Sequence, residues 1–215
     1  MRAGARAIRW RRALEALESD PLFKETEVAR LADDFFGDDW TSLATNLYKE
    51  LSSGHKIVLL TVTRLVETVV ERTLVLLDEP EAHLHPPLLA AFVRSLSDLL
   101  IQRNGVAIIA THSPVVLQEA PKTCVWLLRR SGNQVLADRP ENETFGENVG
   151  VLTREAFSLE VTQSGFHTLL RNAVEKSPSY EALLEHFGHQ LGAEARAIAR
   201  GLFAARDVRT TEDEA

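Results

Sequence analysis

The sequence predicts an α/β fold: short parallel strands flanked by helices, followed by a small hairpin and a helical segment. Three observations carry that reading. Leu74-Val75-Leu76-Leu77 and Val106-Ala107-Ile108-Ile109 are short apolar runs separated by an amphipathic stretch, the strand–helix–strand order that a parallel pair requires. Both runs end in chemically capable residues, Asp78-Glu79 and Thr111-His112, placed where ligands gather beyond the carboxyl ends of an open sheet. Past Arg139 the apolar spacing turns helical to the end of the chain.

Taken in order, residues 5–18 and 24–36 read as helices. Ser19-Asp20-Pro21 parts them, with Ser19 or Asp20 as the cap and Pro21 suited to a first turn. Gly37-Asp38-Asp39 breaks the second, and Trp40–Glu50 is a loop or short helix. A long helix is expected over Lys56–Arg72: Val58, Val62, Leu65 and Val69 form a stripe that Ile57, Leu59 and Leu60 widen, which makes it central. The run from Leu74 suits a parallel strand buried on both faces. Pro86-Pro87 opens a helix whose apolar face holds Leu89, Phe92, Val93, Leu96, Leu99 and Leu100, and Asn104-Gly105 ends it before the strand Val106–Ala110. Cys124–Arg129 and Gln134–Ala137 pair across Ser131-Gly132-Asn133, with Cys124 as inert core. Helices follow near 144–156, 162–176, 178–187 and 192–206, then an acidic frayed tail from Thr210. The expected domains are 1–46, 47–138 and 139–215.

The candidate chemistry sits at four places. Adjacent acids after a buried strand, Asp78 and Glu79, are costly to hold without a cation or a reaction to serve, although such pairs also form plain strand ends. Leu51-Ser52-Ser53-Gly54-His55 precedes the long helix. A serine cap, free N–H groups and the helix dipole make an anion site there, or cap the helix and nothing more. His83-Leu84-His85-Pro86 follows the acids, and His112 ends the second strand.

Taken together, LSSGH, LVLLDEP, HLHP and ATHSP resemble the signature motif, Walker B element, D-loop and switch histidine of the ATP-binding cassette ATPases, over about residues 47–118. The wording DEPEAHLHP is similar to the SMC, RecF and OLD branch. Residues 47–175, with Phe145-Gly146-Glu147-Asn148 and Leu152–Phe157, are similar to the Septu and retron-associated ATPases of antiviral defence. The resemblance implies a partial P-loop NTPase core that binds and hydrolyses ATP with Mg2+. Asp78 would hold the Mg2+ through water, Glu79 would polarise the attacking water, and His112 would sense the γ-phosphate. Ser52, Ser53, Gly54 and His55 would face nucleotide across a head-to-tail dimer, Ser53 and Gly54 at the γ-phosphate. Ser53 stands where the family often has Gly, and His55 where it often has Gln. Also implied are a cytoplasmic antiviral complex and a nuclease partner of HNH type, with nucleic acid reached through the complex.

A phosphate-binding loop needs Gly-x4-Gly-Lys-Ser/Thr, and the sequence contains no Gly-Lys pair. The chain is therefore expected to be the C-terminal portion of an ATPase (a truncated gene, a split subunit or a late start) and not to bind or hydrolyse ATP alone. The strand Val106–Ala110 should also lack the neighbour that leads into that loop, leaving a bare edge. Two other functions stay open. One is a non-catalytic assembly module; the other is a metal-dependent hydrolase built on His83, His85 and Asp78, with His112 as a further ligand.

Bulk properties narrow the classes. A net charge of −7 argues against a surface that is wholly a nucleic-acid footprint. Arg2, Arg6, Arg9, Arg11 and Arg12 nonetheless make the first helix basic, as a solvated face or as a contact for nucleic acid or a partner. Glu15, Glu18 and Asp20 follow too soon for a secretion signal. One cysteine excludes an internal disulfide. The longest apolar stretch, Ile57–Val70, is interrupted by Arg64 and Glu67, so no membrane span is expected.

Overall fold

A computed structural model describes residues 2–33, 39–131, 133–163 and 165–213. The chain divides into two compact units, Met1–Leu152 and Thr153–Ala215.

The first unit is built on three helices. α1 (Arg2–Leu17) buries Trp10, Ala13, Leu14 and Leu17 against α4 (Ser53–Thr68) and α5 (Pro86–Ile101). α4 contributes Val58, Leu59, Val62 and Val66, and α5 contributes Leu88, Phe92, Leu96, Leu99 and Leu100. Two polar bonds fix the stack: Ser95 Oγ donates to the Ala13 carbonyl in the interior (3.0 Å), and nearer the surface Trp10 Nε1–H donates to Thr63 Oγ1 (2.9 Å). α3 (Trp40–Glu50) is the helical option of the two the sequence allowed. β1 (Leu74–Asp78) and β2 (Val106–Ala110) pair in parallel, Leu74 opposite Val106 and Asp78 opposite Ala110. The α/β class and the parallel pair flanked by helices agree with a partial P-loop NTPase core. No helix among the described residues is long and apolar enough to cross a membrane.

The sheet differs from expectation in one respect. Val75, Leu77, Ala107 and Ile109 face the helices, whereas Leu74, Leu76, Val106 and Ile108 are each more than half exposed. The run was expected to be buried on both faces, but α4 and α5 cover only one. Continuous apolarity records what a strand can bury, not what is present to cover it. Among the described residues this sheet has two strands, so the outer edge of β2 has no neighbour.

Smaller corrections follow from local geometry. The expected helix 24–36 is a short α2 (Pro21–Glu25) and a 3₁₀ turn Val28–Ala32, because Glu27 takes a left-handed φ of 55° that ends the first turn; residues 34–36 lie outside the described ones. Cys124, expected in the core, is exposed on a 3₁₀ turn before the hairpin. The hairpin itself forms, β3 (Leu127–Ser131) antiparallel to β4 (Gln134–Asp138); its turn residue Gly132 lies outside the described residues. The short α6 (Pro114–Gln118) follows β2, and α7 (Val149–Gln163) starts later than expected because Glu143 holds a turn, accepting the N–H groups of Lys122, Thr144 and Phe145.

The second unit packs α8 (Phe166–Lys176), α9 (Tyr180–His186) and α10 (Ala193–Asp213) around Leu170, Val174, Leu183, Ala199 and Phe203. Arg206 donates to the carbonyls of Val174, Ser177 and Pro178 and closes the end of α8. α10 continues to Asp213, so most of the tail expected to fray from Thr210 is helical.

Candidate functional site

β1 and β2 end side by side, which brings Asp78, Glu79 and His112 to one rim of the sheet. Glu79 N–H donates to the Ala110 carbonyl (2.8 Å) and Glu79 takes φ 45°, a left-handed conformation that costs a non-glycine residue of the order of 1 kcal/mol. Its carboxylate is thereby turned out of the strand into solvent, with Oε1 at 3.5 Å from His112 Nδ1. Asp78 is exposed beside it.

Glu81, which the sequence reading passed over, organises the rim. One carboxylate oxygen accepts both the Thr111 hydroxyl (2.7 Å) and the His112 N–H (3.0 Å) and stands 3.3 Å from His112 Nδ1. The other oxygen is buried without a partner. Burial pushes the Glu81 pKa up, but the bonds from Thr111, its own backbone and His112, with the His112 charge, outweigh it and hold the carboxyl below its ordinary value. Thr111 passes the constraint on by accepting the Ser113 N–H, and Ser113 caps α6. A signal was present in sequence, an acid three residues after Asp78, but only the parallel pairing of β1 and β2 reveals its partner 30 positions away.

The signature segment sits at the start of α4. Ser52 is the cap, accepting the His55 N–H (3.2 Å); Ser53 is exposed and Gly54 is buried beneath the turn of Glu81–Leu84. A methyl group on Gly54 would meet the His83 carbonyl at 2.7 Å, so glycine is what lets the two turns touch. His55, grouped above with the nucleotide-facing residues, has its ring in the interior, edge-on to Phe23 and 3.7 Å from Asp20. Asp20 is fully buried: it caps α2 by accepting the Phe23 N–H (3.0 Å) and pairs with His85 Nε2 (3.2 Å). It thus ties the N-terminal segment to the starts of both α4 and α5. Burial, then His85, push His55 towards its neutral form against the pull of Asp20, and its pKa falls below the ordinary 6.5.

These placements bear on the possible ligands. His85 is turned to Asp20 and so away from Asp78, while His83, in a turn at φ 69°, lines the cleft against Asp78 and Glu79. Among the described residues no three His, Cys, Asp or Glu side chains could hold a metal between them. One exposed carboxylate at a strand end fits Mg2+, which is held by one or two carboxylates with the rest of its shell from water and phosphate. The sequence supplies no Gly-Lys phosphate loop beside it. The cleft against Asp78 and Glu79, about 230 Å³, is walled by Ile57, Val58, Leu77, Leu84 and Phe92.

Residues 8–118 match the family described as "AAA domain, putative AbiEii toxin, Type IV TA system". Protein ea59 of Escherichia phage lambda is 49% identical over 223 residues, covering 96% of this chain and 42% of that protein. The chain therefore spans less than half the length of this relative.

Proposed function

This chain belongs to that AAA-domain family, which matches just over half of it, and from this premise we propose that it supplies the signature, Walker B and switch-histidine half of an ATP site. The observation that carries the reading is the shared rim of Asp78, Glu79 and His112, open to solvent and braced from below by Glu81. A phosphate loop on another polypeptide segment completes the site. Bound there, ATP with Mg2+ supplies the electrophilic γ-phosphorus. Glu79 orients and polarises water, His112 stays within reach of the phosphate oxygens, and Asp78 offers the one carboxylate for the metal. Ser53, exposed at the N-terminus of α4, faces the nucleotide of a head-to-tail partner, with Gly54 buried behind it in the same turn. Further, and resting on the wording of its motifs, the chain works in an antiviral complex with a nuclease of HNH type.

Two measurements test this. The isolated chain should bind fluorescent ATP near background, and mixing with a P-loop-bearing partner should yield turnover that Glu79→Gln removes while ATP stays bound. Micromolar affinity of the chain alone, or turnover unchanged by Glu79→Gln, contradicts the assignment. Purification of the whole system on a tag carried by this chain tests the nuclease partner.

A further inference from the structure

The basic face of α1 has no role in that site, yet the structure gives it a specific setting. Arg6, Arg9 and Arg12 follow one another every three residues, a track of roughly 9 Å at 1.5 Å per residue. Arg103, just past the end of α5, joins them. Arg6, Arg9 and Arg103 line one open cleft of about 480 Å³ with Val69, Val70 and Glu71; Arg9 and Arg12 line a second of similar size with Asp98 and Ile101. Among the described residues none of the four arginines is in an ion pair, and the Nε atoms of Arg9 and Arg103 are buried without an acceptor. The other acids of the two clefts are engaged elsewhere: Arg64 holds Glu67 at 2.6 Å and Arg11 holds Glu15 at 2.8 Å. Four unpaired guanidiniums therefore face two free carboxylates, in a chain whose net charge is −7. Burial and the neighbouring charges of Arg103 and Arg6 lower the pKa of Arg9, the mark of cations assembled without compensation.

We propose that Arg6, Arg9, Arg12 and Arg103 form a binding surface for the phosphate backbone of duplex nucleic acid. Guanidinium forks match phosphate oxygens, and a phosphate recurs about every 3.4 Å of rise along one strand, so the track meets two or three on one strand. The arrangement opposes that of a protein interface, which places apolar anchors at the centre and charge on the rim. Here Arg9 is shared by both clefts, and the exposed aliphatics Val70 and Ile101 belong to one cleft each. Among the described residues no aromatic ring lines either cleft, so bases are not stacked and the contact is to backbone, independent of sequence.

Anisotropy of a short fluorescein-labelled DNA duplex, titrated with the whole chain, tests this. Four phosphate contacts predict a roughly 100-fold loss of affinity between about 50 and about 200 mM salt. Arg6→Gln with Arg12→Gln, both exposed positions, should weaken binding and shrink the log–log salt slope by about 2; the matching lysine variants should keep the slope. Arg196→Gln, in the second unit, should change nothing. The proposal is overturned by an absence of binding at low salt, by glutamine variants that bind like the parent, or by an equal loss from Arg196→Gln. It is equally overturned if a polyglutamate peptide binds with this arginine dependence and the duplex does not. A melting curve for each variant separates lost contacts from lost fold.

Discussion

Substituting Gly54 by alanine sets two known effects against each other. Alanine is favoured over glycine in a helix by up to about 1 kcal/mol, and Gly54 is the second residue of α4. Its Cβ, however, would lie 2.7 Å from the His83 carbonyl oxygen, inside the 3.4 Å at which ordinary contact begins, and 3.7 Å from both Leu84 Cδ2 and Leu88 Cδ2. The obstacle is backbone, in a turn held from several sides. Leu84 N–H bonds the Glu81 carbonyl (3.0 Å), Glu81 bonds Thr111, and His85 bonds Asp20. Overpacking of this kind costs about 1–3 kcal/mol. The clash therefore outweighs the propensity, with a net loss of up to about 2 kcal/mol, or a melting temperature lowered by as much as roughly 6 °C for a domain near 150 residues. Urea and thermal unfolding measure this, and amide exchange should quicken over residues 81–85. A Gly54→Ala chain as stable as the parent, or more so, refutes the reasoning, because helix propensity would then have decided the sign.

Three further outcomes follow from the same geometry. Glu81 has its folded pKa held below the ordinary 4.5, so its stabilisation is full above that pH and is lost as pH falls through the folded value; Glu81→Ala should cost about 1.5–3 kcal/mol at neutral pH and flatten the acid limb of a melting-temperature profile. His55 has its folded pKa depressed below 6.5, so the unfolded chain takes up its proton first and stability falls as pH drops from 6.5 towards the folded value; His55→Leu should remove that slope, and an unchanged slope places its origin elsewhere. Leu76→Lys on the open sheet face should change stability by no more than about 0.5 kcal/mol, whereas Leu77→Lys, one residue on and facing the helices, should cost several, as denaturant midpoints would show; equal costs would mean that both faces are covered.

Much of the site was legible because its signals are local. An apolar run ending in Asp78-Glu79, a serine before α4, prolines opening α5 and a histidine after β2 are each written within a few residues, and each lies where the sequence put it. The α/β class and the parallel pairing came from the same local order of runs. Local signals also misled where a partner decides the outcome. Cys124 sits in an apolar run yet is exposed, and Glu27 breaks a stretch that helical spacing alone would continue.

What the sequence by itself determined is the identity of the elements and the residues at their ends, since caps, strand ends and helix stripes depend on neighbours in the chain. Tertiary structure alone decided which residues meet. Asp20 reaches His85 across 65 positions, Glu81 reaches Thr111 across 30, and Arg103 joins arginines that precede it by more than 90. It also decided that, among the described residues, one face of the sheet stays uncovered and that His55 turns inward. The physical reason is common to all five. A hydrogen bond, a charge pair or a covered face is a property of distance in space, and periodicity along a chain carries no record of which distant surface will arrive.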